Sequence, residues 1–365
     1  MRRGPILNSA RIAMIFFPKI LCLMIFCLTT VCMLACRAYA QSYTAIDLGT
    51  LRAGSARVHG VNEAGQAVGA SGRPHGEETR AFFWEKHGGM RNLGTLPGGD
   101  YSSAFAINDS GVVVGTSNTA DSQHAFSWTT AQGLHDLGTL PGADASSAFA
   151  INNQGQIAGS SGTHAALWTA GAIQDLGTLG GPTSEAHGVN NLGAVVGVSD
   201  TSSTPHAFLW TNGSMQDLGV LSGDTSSRAD HINDSGMVVG ASQGSGGVRA
   251  FVWTSAAGMQ PLGASSGIYS EAFDINNAGQ VVGEMANSLG THAFLWTSQS
   301  GMIDLNEVVT NLPGDVVLTG AFSINEKGQI VAFGLKNSNA SRHQEVTADS
   351  HVHAGPTRVF LLTPQ

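Results

Sequence analysis

A Val/Ile-Asn-x-x-Gly element recurs seven times, at Val61-Asn62, Ile107-Asn108, Ile151-Asn152, Val189-Asn190, Ile232-Asn233, Ile275-Asn276 and Ile324-Asn325. Successive Asn residues stand 46, 44, 38, 43, 43 and 49 positions apart. A period of this size marks tandem units, each of which buries its apolar face only against a neighbour. Two further elements keep step. One is Asp-Leu-Gly and its variants, beginning at Asp47, Asn92, Asp136, Asp175, Asp217, Pro261 and Asp304. The other is His-Ala-Phe-x-Trp, ending on Trp84, Trp128, Trp168, Trp210, Trp253 and Trp296, with a degenerate seventh copy at Arg358-Val359-Phe360-Leu361-Leu362.

Each unit reads as four strands. Strand A is the alternating run before the Asn, such as Ser103-Ala104-Phe105-Ala106-Ile107. Asn-Asp-Ser-Gly then supplies a tight turn, because Asn and Asp bond their own backbone and Gly accepts positive φ. Strand B follows, as in Val112-Val113-Val114-Gly115; strand C is the His-Ala-Phe-x-Trp run; strand D is Asp-Leu-Gly-Thr-Leu. Four antiparallel strands in about 40–45 residues are the signature of a propeller blade. The fold expected is therefore all-β, a seven-bladed β-propeller, with no amphipathic helix after residue 40.

The phase of the repeat adds a closure. The array begins with a lone D strand at 45–51 and ends with a blade that lacks D. Zipping the first strand onto the last blade removes the two free edges of an open ring. Residues 41–365 then form one domain, with a long flexible loop at 336–357. Four residues before each Asn stand Val58, Ala104, Ala148, Ala186, Ala229, Ala272 and Ala321, small enough for blades to approach closely. Phe105, Phe149, Phe273 and Phe322 are expected on the opposite face of strand A.

Residues 1–40 read differently. Arg2, Arg3 and Arg11 precede an apolar stretch over 12–35, split by Pro18 and Lys19, and Ala38-Tyr39-Ala40 is a small-x-small exit. This pattern reads as a cleavable secretory signal, with a membrane anchor as the alternative; the unbroken part is shorter than a bilayer span needs, so no membrane span is expected after cleavage. Met33-Leu34-Ala35-Cys36 is a weak match to a lipid-attachment site. All four cysteines, Cys22, Cys27, Cys32 and Cys36, fall in this segment, so cleavage leaves no disulfide, thiol nucleophile or thiolate metal site. Of the 17 basic residues five lie here and of the 26 acidic ones none does, so 41–365 carry 12 against 26, a net −14. Such a balance disfavours nucleic acid as a partner. A secreted or periplasmic monomer is expected.

The three elements together resemble the HAF-repeat family of bacterial extracellular proteins over essentially all of 41–365. The resemblance implies bacterial origin and export, and no activity. The copies at Ala165-Ala166-Leu167-Trp168 and at 358–362 depart from its motif.

Candidate chemistry divides into repeating and non-repeating residues. Four residues before the Trp stand Arg80, His124, His164, His206, Arg249, His292 and, in the seventh copy, Arg358. Arg cannot ligate a metal, so this series, with the seven Asn (Asn62, Asn108, Asn152, Asn190, Asn233, Asn276, Asn325) and the Trp residues, reads as structural. The strand D Asp recurs too often for a catalytic pair. Asp109 and Asp234 lack calcium-loop spacing. The non-repeating His59, His187, Asp230, His231 and Asp274 in strand A are the candidate ligand-facing residues. Their convergence in one pocket favours an enzyme or metal site, and their scatter favours a scaffold. His343, His351 and His353, with Glu345 and Asp349, fall in the long loop and match no metal spacing. Neither a hydrolase elbow, a Walker loop nor a dinucleotide fingerprint is present, and no cofactor is expected. The leading expectation is a non-catalytic module binding a protein or glycan. The alternative is a carbohydrate-active hydrolase or lyase with a site at one mouth of the ring.

Overall fold

The computed structural model describes residues 41–51, 54–72, 78–263, 269–336 and 357–365. The secretory segment with its four cysteines, and the loop histidines His343, His351 and His353, lie outside them. Tyr43–Gln365 is one compact unit. It consists of seven four-stranded antiparallel sheets arranged as the blades of a β-propeller. Blades 1 to 6 occupy residues 55–92, 102–136, 146–175, 184–217, 224–261 and 270–304. Blade 7 takes three strands from 316–364 and its fourth from the start of the unit. Tyr43–Asp47 pairs antiparallel with Arg358–Pro364, with Tyr43 opposite Pro364 and Asp47 opposite Phe360.

The closing strand begins and ends earlier than the expected 45–51, and the reason applies to most D strands. The Asp47 carboxylate accepts the Gly49 N–H at 3.0 Å, and Gly49 adopts φ +75°. Asp136, Asp175 and Asp217 do the same for Gly138, Gly177 and Gly219 at 2.7–2.8 Å. Asp-Leu-Gly therefore ends strand D instead of running through it. The seventh copy reads Asp304-Leu305-Asn306, and here the Asp304 side chain caps a short helix not anticipated from sequence, Leu305–Val308. Asn306 fixes that helix to blade 7 through the Leu318 N–H and C=O at 2.8 and 2.9 Å.

The core is distributed. Seven apolar clusters each join one blade to the next. Val331, Phe333, Val359 and Leu361 of blade 7 pack with Val58, Ala67, Phe82 and Trp84 of blade 1, so the closing interface is built like the others. Val58, Ala104, Ala148, Ala186, Ala229, Ala272 and Ala321 are fully buried, as their small size predicts. Phe82, Phe126, Phe208, Phe251 and Phe294 fill the same inter-blade slot with no exposure; blade 3 places Ala166 there.

Each A strand carries a β-bulge three residues before its Asn, seen as register breaks at Val58/Gly60, Ala104/Ala106, Ala148/Ala150, Ala186/Gly188, Ala229/His231, Ala272/Asp274 and Ala321/Ser323. A bulge leaves one residue unpaired and re-aims its side chain. It also drives the A-strand carbonyl toward strand B. A Cβ on Gly115 would sit 2.0 Å from the Ser103 oxygen, which explains the recurrent glycine at this B-strand position.

A cup at the turn end of the central channel

The bulged residues are His59, Phe105, Phe149, His187, Asp230, Phe273 and Phe322, one per blade. They form a collar. Phe273 stacks on Phe322 at 4.9 Å between centroids; Phe322 meets His59 edge-on at 6.3 Å; His59 stacks on Phe105 at 5.1 Å; Phe105 meets Phe149 at 5.3 Å; and Phe149 meets His187 at 6.0 Å. Asp230 interrupts the circuit between His187 and Phe273. The phenylalanines, expected only on the face of strand A opposite the small residues, line the channel, where the bulge aims them.

Above the collar lies a cavity of about 430 Å³ walled by the last residues of the A strands and the Asn turns. Two hydrogen-bond rings brace its mouth. Each turn Asn donates its Nδ2–H to the carbonyl of the Asn in the next blade, seven times, at 2.8–3.2 Å. The following residue makes the second ring. Its backbone N–H donates to the side-chain oxygen of its counterpart in the next blade, through Glu63, Asp109, Asn153, Asn191, Asp234, Asn277 and Glu326, at 2.6–3.1 Å. Four of these seven are carboxylates. Burial, and then the charges of Glu63, Asp234 and Asp274, hold the Glu326 carboxyl above its ordinary range. The mouth therefore carries four carboxylates against one ammonium, that of Lys327, which donates to the Glu63 carbonyl at 2.6 Å.

All five candidate ligand-facing residues, His59, His187, Asp230, His231 and Asp274, line this one cavity. Most are already partnered. His187 donates from Nδ1 to the Ala229 carbonyl at 3.0 Å and from Nε2 to Glu185 at 2.9 Å, so it is an imidazolium. Burial alone would lower its pKa; the Glu185 hydrogen bond and the Asp230 charge outweigh burial and raise it. Asp230 accepts Arg228 Nε at 2.9 Å, and Arg228 also bonds Glu271 at 2.8 Å. His231 Nδ1 lies 2.9 Å from Asp274; the Asp274 charge overcomes burial and raises the His231 pKa. Asp274 further accepts the Ile324 N–H of the next blade at 2.9 Å. His59 differs. Burial pushes its pKa down to about 4, and Arg57 adds to the effect, so at neutral pH it is an uncharged imidazole donating Nδ1–H to the Ala104 carbonyl at 2.8 Å.

Beyond the collar, toward the loop end, lies a second group. Glu271 and Glu284 are cross-strand partners, and Tyr269 donates its hydroxyl to Glu284. Burial pushes the Glu284 carboxyl up to about 7. A cavity of about 100 Å³ lined by Arg57, His59, Glu284 and Phe322 adjoins it. Among the described residues no cluster of His, Cys, Asp and Glu has metal-binding geometry.

The repeating histidines stay out of the cup. His124, His164, His206 and His292 pair with Asp136, Asp175, Asp217 and Asp304 of the adjacent D strand at 2.5–2.9 Å, and Arg358 pairs with Asp47 across the closure. Where strand D has no acid, at Asn92 and Pro261, strand C carries Arg80 and Arg249, which turn to the Asp100 carbonyl and to Asp224. Two series that looked independent in sequence are one pairing. Sequence reading missed the carboxylate ring and the Glu185, Arg228, Glu271 and Glu284 group. Aligning the seven units in columns exposes the ring one position after the Asn, and Glu185, Arg228 and Glu271 five before it; Glu284 stands eight after Asn276, in strand B.

A family model described as a protein of unknown function (DUF3466) matches residues 181–354. No curated protein matches the chain. Among solved structures, virginiamycin B lyase from Staphylococcus aureus is similar at 13% identity and TM-score 0.52, over 88% of this chain and 98% of that one. YCF48 bound to D1 peptide is similar at 12% identity and TM-score 0.50, over 89% and 96%. A structure from a study of two prolyl endopeptidases is similar at 10% identity and TM-score 0.50, over 89% of this chain and 50% of that one. At these identities the likeness is one of fold, and the same ring serves unrelated functions.

Proposed function

We propose that this protein is an exported ligand-binding module whose binding site is the collar-floored cup. The observation that carries this reading is the break in sevenfold symmetry. The bulge position repeats in backbone and not in side chain, and the variation converges on one cavity. A scaffold under structural demand alone has no reason to line its axis with partly exposed phenylalanines, since aromatic surface gains most when covered. By the criterion set from sequence, convergence in one pocket favours an enzyme or metal site over a scaffold. The partnering of His187, Asp230, His231 and Asp274, and the low basicity of His59, favour binding over proton transfer. The partner is a protein or a glycan. YCF48, a propeller of similar fold, is bound to a peptide, an example of such a ring receiving a polypeptide. Export rests on the sequence pattern of residues 1–40; among the described residues no helix is long and apolar enough to cross a membrane.

The test is capture from a peptide and glycan panel by the native chain and by Ser323→Trp, which fills the cup wall. Loss of capture in Ser323→Trp, with retention in Leu289→Ser away from the cup, supports the reading. Capture unaffected by Ser323→Trp contradicts it. The second reading, a carbohydrate-active hydrolase or lyase, is favoured by Glu284 alone: a carboxyl near neutrality beside a cavity has the character of a general acid. Turnover of a polysaccharide panel that disappears in Glu284→Gln would establish it.

A further inference from the structure

We propose that the cup recognises a basic side chain, an arginine or lysine presented by a polypeptide, and that the collar is an aromatic cage for its cationic end. The inference rests on the binding reading above and names the ligand class. Two features on one axis support it. Four phenylalanine rings line the floor of a solvent-open cavity of about 430 Å³; aromatic faces attract cations within about 6 Å, more strongly when the cation is desolvated. Asp230 stands in place of an aromatic side chain at the one gap in the circuit, where its carboxylate accepts Arg228 Nε at 2.9 Å, so it marks the gap without offering a free charge. The path inward passes the carboxylates Glu63, Asp109, Asp234 and Glu326, a field that concentrates cations and repels anions. These four already accept backbone N–H groups, so they act as a fixed field and not as chelating ligands.

A polypeptide is favoured over a free polyamine by the mouth itself. Leu192, in the Asn190 turn that lines the cup, is 78% exposed, and offers apolar contact to a residue flanking the inserted side chain. The aliphatic stem of arginine or lysine suits phenylalanine walls, which a compact inorganic cation would not use.

The test is calorimetric titration of the native protein with acetyl-Leu-Arg-Leu-amide, the citrulline peptide of the same length, and agmatine. Binding of the arginine peptide, weakened at least tenfold by citrulline, by the pair Phe273→Leu and Phe322→Leu, and by raised salt, is expected. Leu192→Ser weakens the peptide and leaves agmatine unchanged. The leucine substitutions keep apolar volume, and circular dichroism verifies their fold. Equal binding of the arginine and citrulline peptides, or no binding of either basic probe at millimolar concentration, overturns the cation inference. Agmatine binding as tightly as the peptide overturns the polypeptide part. A neutral glycan captured by the native chain and lost in Ser323→Trp would sink this inference while leaving the binding reading intact.

Discussion

The Asn325 Nδ2–H donates to the Asn62 carbonyl at 2.9 Å across 263 positions of sequence. This bond closes the inner ring at the same interface where blade 7 meets blade 1. Both residues are nearly inaccessible, at 5% and 3% exposure. Asn325 also accepts the Lys327 and Gln329 N–H groups at 3.1 and 2.8 Å, so one side chain shapes its own turn and ties it to the next.

The two jobs can be separated by substitution. Asn325→Asp keeps the accepting oxygen and loses the donor to both the Asn62 carbonyl and Gln329 Oε1, while the Asn62 carbonyl retains the Gly65 N–H at 2.9 Å. The expected cost is about 1–3 kcal/mol, read by urea unfolding. Asn325→Ala removes the turn bonds as well and costs more. Native stability in Asn325→Asp would show that the ring is geometric coincidence.

The terminal closure makes an unequal pair of predictions. Arg358 and Asp47 are 33% and 38% exposed, so Arg358→Ala changes stability by no more than about 1 kcal/mol. Deleting residues 41–48 removes the fully buried Tyr43 and bares the edge of Arg358–Pro364. That variant should melt far lower and associate through the open strand, as thermal unfolding and gel filtration would show.

His59 predicts an acid sensitivity. Its folded pKa of about 4 lies below the unfolded value of about 6.5. The unfolded chain therefore takes up a proton that the folded one refuses, and stability falls as pH drops from about 6.5 to 4. The loss is at most about 3 kcal/mol. His59→Phe keeps the stack on Phe105 and abolishes the titration, so its stability changes less between pH 7 and pH 4.5. An unchanged pH profile would contradict a neutral His59.

Glu284 predicts the opposite direction. Its folded pKa of about 7 exceeds the unfolded value of about 4.3, so stability falls as pH rises between the two and the loss is complete above the folded pKa. Burial is the main cause; the Tyr269 hydroxyl bond and the Arg228 charge oppose it, and the Glu271 charge adds to it. Glu284→Gln should match the native chain near pH 4 and exceed it at pH 8 by up to about 3 kcal/mol. A less stable Glu284→Gln at pH 8 would mean that the buried carboxylate is ionised and well paired.

Much of the ring was legible because repetition writes tertiary structure into local sequence. The Asn turns, the small residues at Ala104 and its equivalents, and the D strand missing from the last unit together specify blade number, inter-blade spacing and closure. The five candidate residues were legible as departures from the repeat, and the structure gathers them. The collar was not, since alternation along strand A says only that Phe105 lies on the face opposite Ala104; the bulge, a backbone feature without a sequence mark of its own, aims it at the channel. The pairing of His124 with Asp136 was hidden because strand C and strand D partners stand 12 positions apart, at a spacing that no local pattern reports.

The most direct measurement is a crystal structure of the protein with acetyl-Leu-Arg-Leu-amide. The account predicts the guanidinium in the cup over the collar, within about 6 Å of at least one of the Phe105, Phe149, Phe273 and Phe322 rings, with a peptide leucine against Leu192. Peptide density on the outer blades or at the loop end, with the cup holding none of it, would contradict the account.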